Sequence, residues 1–241
     1  MYPLISIGPL NLNSGGLLTL FALFLASWLF ERFARRRAGK ALADHAGDTF
    51  LPALLGAILG ARLWYGLLNW DLYSANPSLF WALRFADLAW PGALLGGALA
   101  GWLWCAWRRY DAVALADAAA LALPLPQALA GLGLLLSGEA FGQASTLPWA
   151  IPLFGTMRHP TQIYFVLAAL SGFALLRWFA RREPAPGRLA ELYLGWQGLT
   201  LLFVEALRAD SLTLPGGIRA AQMLGLALLL LALQKILIGR R

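Results

Sequence analysis

Seven apolar runs of about bilayer length, separated by short links rich in arginine, leave this chain few ways to fold. A spanning helix needs roughly 20 mostly apolar residues, because lipid offers its main-chain N–H and C=O groups no partner. The runs fall at 15–31, 49–68, 89–107, 113–136, 160–180, 189–207 and 219–237, with Pro124 and Pro126 interrupting the long fourth run. Only 13% of the 241 residues are charged and 60% are hydrophobic, against about 25% charged in a soluble domain. The expectation is an all-α integral membrane protein, one polytopic domain over residues 1–241.

Basic residues orient the runs. Fourteen of the nineteen lysines and arginines lie in four clusters: Arg32, Arg35, Arg36, Arg37 and Lys40; Arg108 and Arg109; Arg177, Arg181, Arg182 and Arg188; Lys235, Arg240 and Arg241. The positive-inside rule puts these clusters in the cytoplasm, hence the N-terminus outside and the C-terminus inside. An odd number of spans is then required, and seven satisfies it. Arg84, Arg158, Arg208 and Arg219 fall on or near the outer side, and Arg62 within the second run. Basic clusters set between apolar runs exclude a nucleic-acid face, despite the net charge of +7. No basic flank precedes the first run, so it reads as a retained span and not a cleaved signal.

Polar groups within or beside the runs are where chemistry is expected. Ionisable groups in a bilayer are costly and usually paired or functional. Here they are Arg62, Asp117, Glu139, Glu205 and Arg208, with Arg158 and His159 at the mouth of the fifth run. In the string Arg158-His159-Pro160-Thr161-Gln162-Ile163-Tyr164, Pro160 suits a helix start. Thr161, Gln162 and Tyr164 must then face protein, water or headgroups. Arg62 is expected to face Glu139 or Glu205, with Arg158 and Arg208 nearer the headgroups. Arginine forks suit an anionic phosphate, and an imidazole can move protons near neutral pH. Plainer readings stand beside these: interfacial anchoring by Arg158 and Tyr164, packing by arginine–carboxylate pairs, and His159 bonded to backbone at a helix start. Cys105 is the only cysteine, which reads as a packed thiol and rules out an intramolecular disulfide. His45 and His159 are the only histidines, so no metal site and no cofactor are expected. Gly56 and Gly60, and Gly92, Gly96, Gly97 and Gly101, have the spacing of close helix packing. Trp64, Trp70, Trp81, Trp90 and Trp149 suit the outer interface.

These residues resemble the bacterial prolipoprotein diacylglyceryl transferases nearly end to end. Ile5-Ser6-Ile7-Gly8-Pro9 resembles the family's entry to its first span, and Gly60-Ala61-Arg62-Leu63-Trp64-Tyr65 its G-x-R-x-x-Y. Gly138, Glu139 and Gly142 resemble part of N-G-E-x-x-G, and Arg158 to Tyr164 resembles R-H-P-S-Q-L-Y. Val204 to Arg208 resembles V-E-x-x-R, and Gln222 a glutamine near the last span. The resemblance implies a multi-pass protein of the bacterial plasma (inner) membrane, with seven spans and the termini oriented as above. It implies transfer of diacylglyceryl from phosphatidylglycerol to the lipobox cysteine thiol of a prolipoprotein, releasing glycerol phosphate. The partners would be phosphatidylglycerol or another anionic phospholipid, and the prolipoprotein signal peptide. His159, Glu139 and Glu205 would handle protons, and Arg62, Arg158, Arg208, Gln162 and Tyr65 would hold the phospholipid.

The chain departs from the family at marked positions. Pro91 stands where the family has a histidine, and Gly131 and Leu201 where it has arginines. Gly15 and Phe165 replace a tyrosine and a glutamate, and the outer segment between Gly142 and Arg158 is short. The alternative is therefore a catalytically degenerate protein of the same fold that binds phospholipid or a partner. A small transporter is disfavoured by the lack of internal repeats.

Overall fold

Each of the seven apolar runs is helical in the computed structural model, which describes residues 4–7, 10–81, 89–214 and 216–238. Gly8, Pro9, Arg84, Arg240, Arg241 and the side chain of Trp90 lie outside the described residues. A short antiparallel hairpin, β1 (Leu4–Ile7) and β2 (Leu10–Asn13), leads into α1 (Ser14–Leu68). Then come α2 (Trp70–Ala75), a 3-10 turn at Pro77–Trp81, α3 (Trp90–Arg108), α4 (Ala112–Ala122) and α5 (Pro124–Ser137). A second hairpin, β3 (Ile151–Leu153) and β4 (Thr156–Arg158), precedes α6 (Thr161–Ala180). The chain ends with α7 (Arg188–Val204), a 3-10 turn at Glu205–Leu207, and α8 (Ala220–Ile238).

The fold is all-helical as expected, the two short hairpins aside. One feature corrects the sequence reading: the expected link between the first two runs is helical as well, broken only at Ala38 and Gly39. Arginine, alanine and lysine are good helix formers, so the basic cluster alone does not stop the helix. Gly39, at φ 79° and ψ −164°, takes a conformation open to glycine. At Pro124 the expected interruption is a 44° bend between α4 and α5.

By length and composition α1 and α6 can each cross a membrane, and the bent pair α4–α5 makes a third span if counted as one. Their surfaces agree. Leu51, Leu55, Leu59, Leu63 and Leu67 form an exposed stripe at helical spacing on α1, Phe21 and Phe24 are exposed nearer its start, and Leu167, Phe203 and Leu230 are exposed on other helices. Water would penalise such continuous apolar area, and hydrocarbon does not. The protein is a membrane protein.

The chain divides into two units, Met1–Phe33 with Ala116–Arg241, and Ala34–Leu115. In the second unit the glycine spacing works as expected. The main chains of α1 and α3 touch, so that a methyl built on Gly60 would lie 2.8 Å from Gly96 Cα, and one on Gly56 2.6 Å from Gly96 O. No flexible side chain can yield there. Gly96→Leu is expected to cost about 3 kcal/mol or more by forcing the helices apart. Gly101→Ala, whose methyl meets only ordinary contacts at 3.5 and 3.8 Å, should be near neutral. Thermal unfolding of both variants in nanodiscs checks the contrast. Cys105 is buried in the same unit, 3.8 Å from Thr49 Oγ1.

In the first unit α7 packs on α8 at Gly198 and Gly225, where a methyl on Gly198 would lie 2.6 Å from Gly225 O. The indole of Trp196 fills the space over Gly172 and donates to Ala168 O at 2.7 Å. Asp117, fully buried, accepts from Gly187 N and Ala190 N, both at 2.9 Å. A carboxylate some seventy residues away in sequence thus caps the start of α7, where unpaired N–H groups and the helix dipole favour negative charge. That accounts for one ionisable group inside an apolar run. Asp117→Ala is expected to cost on the order of 2 kcal/mol and to speed hydrogen exchange in the first turn of α7. Exchange unchanged at Gly187 and Ala190 would count against the cap.

Candidate functional site

Three of the sequence motifs meet in the first unit through main-chain hydrogen bonds. Helix α5 ends at Gly138, whose φ of 79° lets its N–H and that of Glu139 turn back to Leu134 O at 3.0 and 3.1 Å. The chain then runs extended between two neighbours. On one side Ala209 N donates to Phe141 O and Gln143 N to Leu207 O, both at 2.9 Å. On the other, His159 N donates to Gln143 O at 3.0 Å and Ser145 N to Met157 O at 2.9 Å. Segments 138–145, 156–162 and 205–209 are thereby one knot. Gly142 sits at its centre, because a methyl there would fall 2.6 Å from His159 Cβ.

The side chains tighten it. Arg158 donates from Nη1 to Gly142 O and from Nε to Leu153 O, both at 3.2 Å, and lies 5.1 Å over the Phe141 ring. Thr161 Oγ1 donates to Ala140 O. Gln162 is fully buried and donates to Glu139 O at 2.8 Å. Its Oε1 is buried with no hydrogen-bond partner among the described residues, an acceptor that a ligand hydroxyl or amide would satisfy. The Glu139 side chain is exposed, and His159 is half-buried with Nδ1 3.3 Å from Tyr164 Oη.

Glu205, fully buried at the end of α7, anchors the third segment. Its Oε1 accepts from Arg208 Nη1 and its Oε2 from Ser211 Oγ, both at 2.7 Å. Arg208 Nε also donates to Asp210 Oδ1 at 3.0 Å, and Arg219 Nη1 donates to Glu205 O. Burial opposes the Arg208 charge, but Glu205 and Asp210 more than offset it and hold the guanidinium above its ordinary range. Gln222 Nε2 donates to Leu202 O at 2.9 Å.

Arg62 and Tyr65 belong to the other unit. Arg62 is buried and donates from Nε to Phe80 O at 2.8 Å and from Nη2 to Leu79 O at 2.6 Å. The Tyr73 and Phe80 rings lie 5.2 and 5.5 Å from its guanidinium. It satisfies carbonyls of the 3-10 turn. Tyr65 O accepts from Asn69 N at 3.0 Å and Asn69 Nδ2 at 2.9 Å, and its ring meets Tyr73 edge-on.

Three of the departures have packing roles. Pro91 opens α3, where a missing N–H costs nothing. Gly131 is buried where α5 meets α6, and a methyl there would lie 2.8 Å from Val166 Cγ2. Leu201 is buried with its Cβ against Gly225 of α8. Sequence reasoning missed Trp149, Asp210 and Ser211 as parts of the knot. It also missed a second polar cluster, in which Gln127 Nε2 donates to Tyr193 Oη at 2.8 Å and Gln197 Nε2 to Gln127 Oε1 at 2.7 Å. Scanning the runs for neutral amides as well as charges would have found it.

The fold and this knot define a helical membrane protein with a polar, carboxylate- and guanidinium-bearing site at the ends of its helices. The family model described as prolipoprotein diacylglyceryl transferase matches residues 3–238. Relatives named phosphatidylglycerol–prolipoprotein diacylglyceryl transferase include one from Symbiobacterium thermophilum, 34% identical over 95% of this chain and 89% of its own. Another, from Clostridioides difficile, is 31% identical over 88% of this chain and 84% of its own. A third, from Trichormus variabilis, is 33% identical over 92% and 84%. The chain belongs to the prolipoprotein diacylglyceryl transferase family.

Proposed function

We propose that this chain transfers the diacylglyceryl group of phosphatidylglycerol to the lipobox cysteine of a prolipoprotein, in the bacterial inner membrane. The observation that carries this reading is the knot itself, in which Gly138–Gly142, Arg158–Gln162 and Glu205–Arg208 are tied together. Seven spans, an outer N-terminus and a cytoplasmic C-terminus go with the proposal, supported by the seven helical runs and the basic clusters. In the reaction the cysteine sulfur attacks the glyceryl carbon that bears the phosphoester. The C–S bond forms, the C–O bond breaks, and its electron pair leaves on glycerol phosphate while the thiol proton passes to a base.

Arg158, Arg208 and Gln162 are assigned to the phospholipid headgroup and Glu139, His159 and Glu205 to the proton-handling set, while Arg62 and Tyr65, in the other unit, are assigned to phospholipid on the family resemblance alone. Within that set Glu205 has both carboxylate oxygens bonded, so its part is to hold Arg208. Glu139 and His159 are the members left for chemistry. The unpartnered Gln162 Oε1 suits a headgroup hydroxyl.

The test is complementation of a bacterium depleted of its own transferase, with the chain's membrane level checked, alongside attachment of labelled diacylglycerol to a lipoprotein substrate. Rescue with transfer is expected, and His159→Ala should abolish most of it. A well-expressed, folded chain that transfers nothing would overturn the activity and favour the phospholipid-binding alternative.

A further inference from the structure

His159 is fixed at both of its ends. Its main chain is held by the bond to Gln143 O and by Thr161 N, which donates to His159 O at 2.9 Å. Its ring meets a short relay, for Trp149 Nε1 donates to Tyr164 Oη at 2.8 Å and Tyr164 Oη lies 3.3 Å from His159 Nδ1. An indole nitrogen has only a hydrogen to give, so the phenol oxygen is the acceptor. The phenol hydrogen then has one acceptor among the described residues, His159 Nδ1. With Nδ1 accepting, the neutral imidazole carries its proton on Nε2. The reverse assignment puts two N–H groups on one oxygen and leaves the phenol hydrogen without a partner.

We propose that Tyr164, itself held by Trp149, is a positioning residue that orients His159 and presents its Nε2–H as a hydrogen-bond donor to the departing phosphate oxygen. The inference rests on the transferase reading above. It changes the division of labour within that reading. An imidazole holding its proton on Nε2 stabilises the leaving phosphate and does not take the thiol proton. That proton passes to the Glu139 carboxylate, exposed at the end of α5 in the same knot. The sulfur's electron pair forms the C–S bond and the C–O pair departs on the phosphate, whose oxygen accepts from Nε2–H. No other reactant is needed.

The ring nitrogens report the relay directly. With two histidines in the chain, 15N-histidine spectra of the full protein in phosphatidylglycerol-containing nanodiscs hold two ring systems, and His45→Asn assigns them. His159 Nδ1 is expected at the position of an unprotonated, hydrogen-bonded nitrogen. Tyr164→Phe should move it toward that of a free acceptor and lower kcat about tenfold, with KM little changed. Trp149→Phe should shift both readouts in the same direction by less, and it tests the relay should Tyr164→Phe fail to fold. A wild-type chain without turnover overturns the transferase reading. A chain that turns over with Nδ1 protonated, or with Nδ1 unmoved in the variants, overturns this inference alone.

Discussion

Replacing Glu205 with leucine is expected to destabilise the protein by about 3–5 kcal/mol, the usual cost of removing one partner from a buried ion pair. Glu205 has no exposed surface, and the Arg208 side chain is only 13% exposed. Leucine would fill the space yet leave Arg208 Nη1 and the Ser211 hydroxyl without the acceptors that Glu205 supplies. Asp210 would still hold Arg208 through Nε, so the charge would not be wholly orphaned. The partner replacement separates stability from function. Removing both charges, as Glu205→Leu with Arg208→Met, should recover much of the loss, because a well-packed apolar pair can replace a buried ion pair. Transfer activity should not return, since the guanidinium assigned to the phosphate would be gone. Thermal unfolding in nanodiscs measures the first effect and labelled diacylglycerol transfer the second. A single variant within about 1 kcal/mol of wild type would mean the pair is a surface contact.

The helices were legible because lipid enforces a single local solution. Runs at 89–107, 160–180 and 219–237 match Trp90–Arg108, Thr161–Ala180 and Ala220–Ile238 closely. The glycine pairs were equally legible, since closely spaced small residues have one structural use. Partners were harder to read. Arg62 donates to the main-chain oxygens of Leu79 and Phe80, partners that the sequence does not name. Carbonyls carry no sequence signature. Asp117 shows the same limit, because the N–H groups it caps belong to a glycine and an alanine. The site motifs are separate strings in the sequence, and what joins them is a pair of isolated bridges, Gly142 with Arg208 and Ala144 with Arg158, the latter at the end of the three-residue strand β4. So short a strand has no periodicity to detect. Its turn, with Phe154 at φ 52° and Gly155 at φ 73°, was not singled out either.

Gly142→Val is the second large effect, and here function should fall much further than stability. Any Cβ at this position meets His159 O, and it would lie 2.6 Å from His159 Cβ and 2.9 Å from His159 C. Two of those atoms are main chain and cannot rotate away. The segment carrying His159 must therefore move, and Arg158, which donates to Gly142 O, must move with it. Misplacement of a reacting group by about 1 Å can cost on the order of 100-fold in rate, and that is the expected loss of transfer. The stability cost of such overpacking is about 1–3 kcal/mol. Gly16→Ala is the matched control, since its methyl meets only Asn13 atoms at 3.7 Å and beyond. Its activity should stay at the wild-type level. Cooling distinguishes the two causes of a loss. A chain that is merely unstable regains activity at low temperature, whereas a displaced His159 stays displaced. Activity of Gly142→Val that returned on cooling would remove His159 placement as the reason for this glycine.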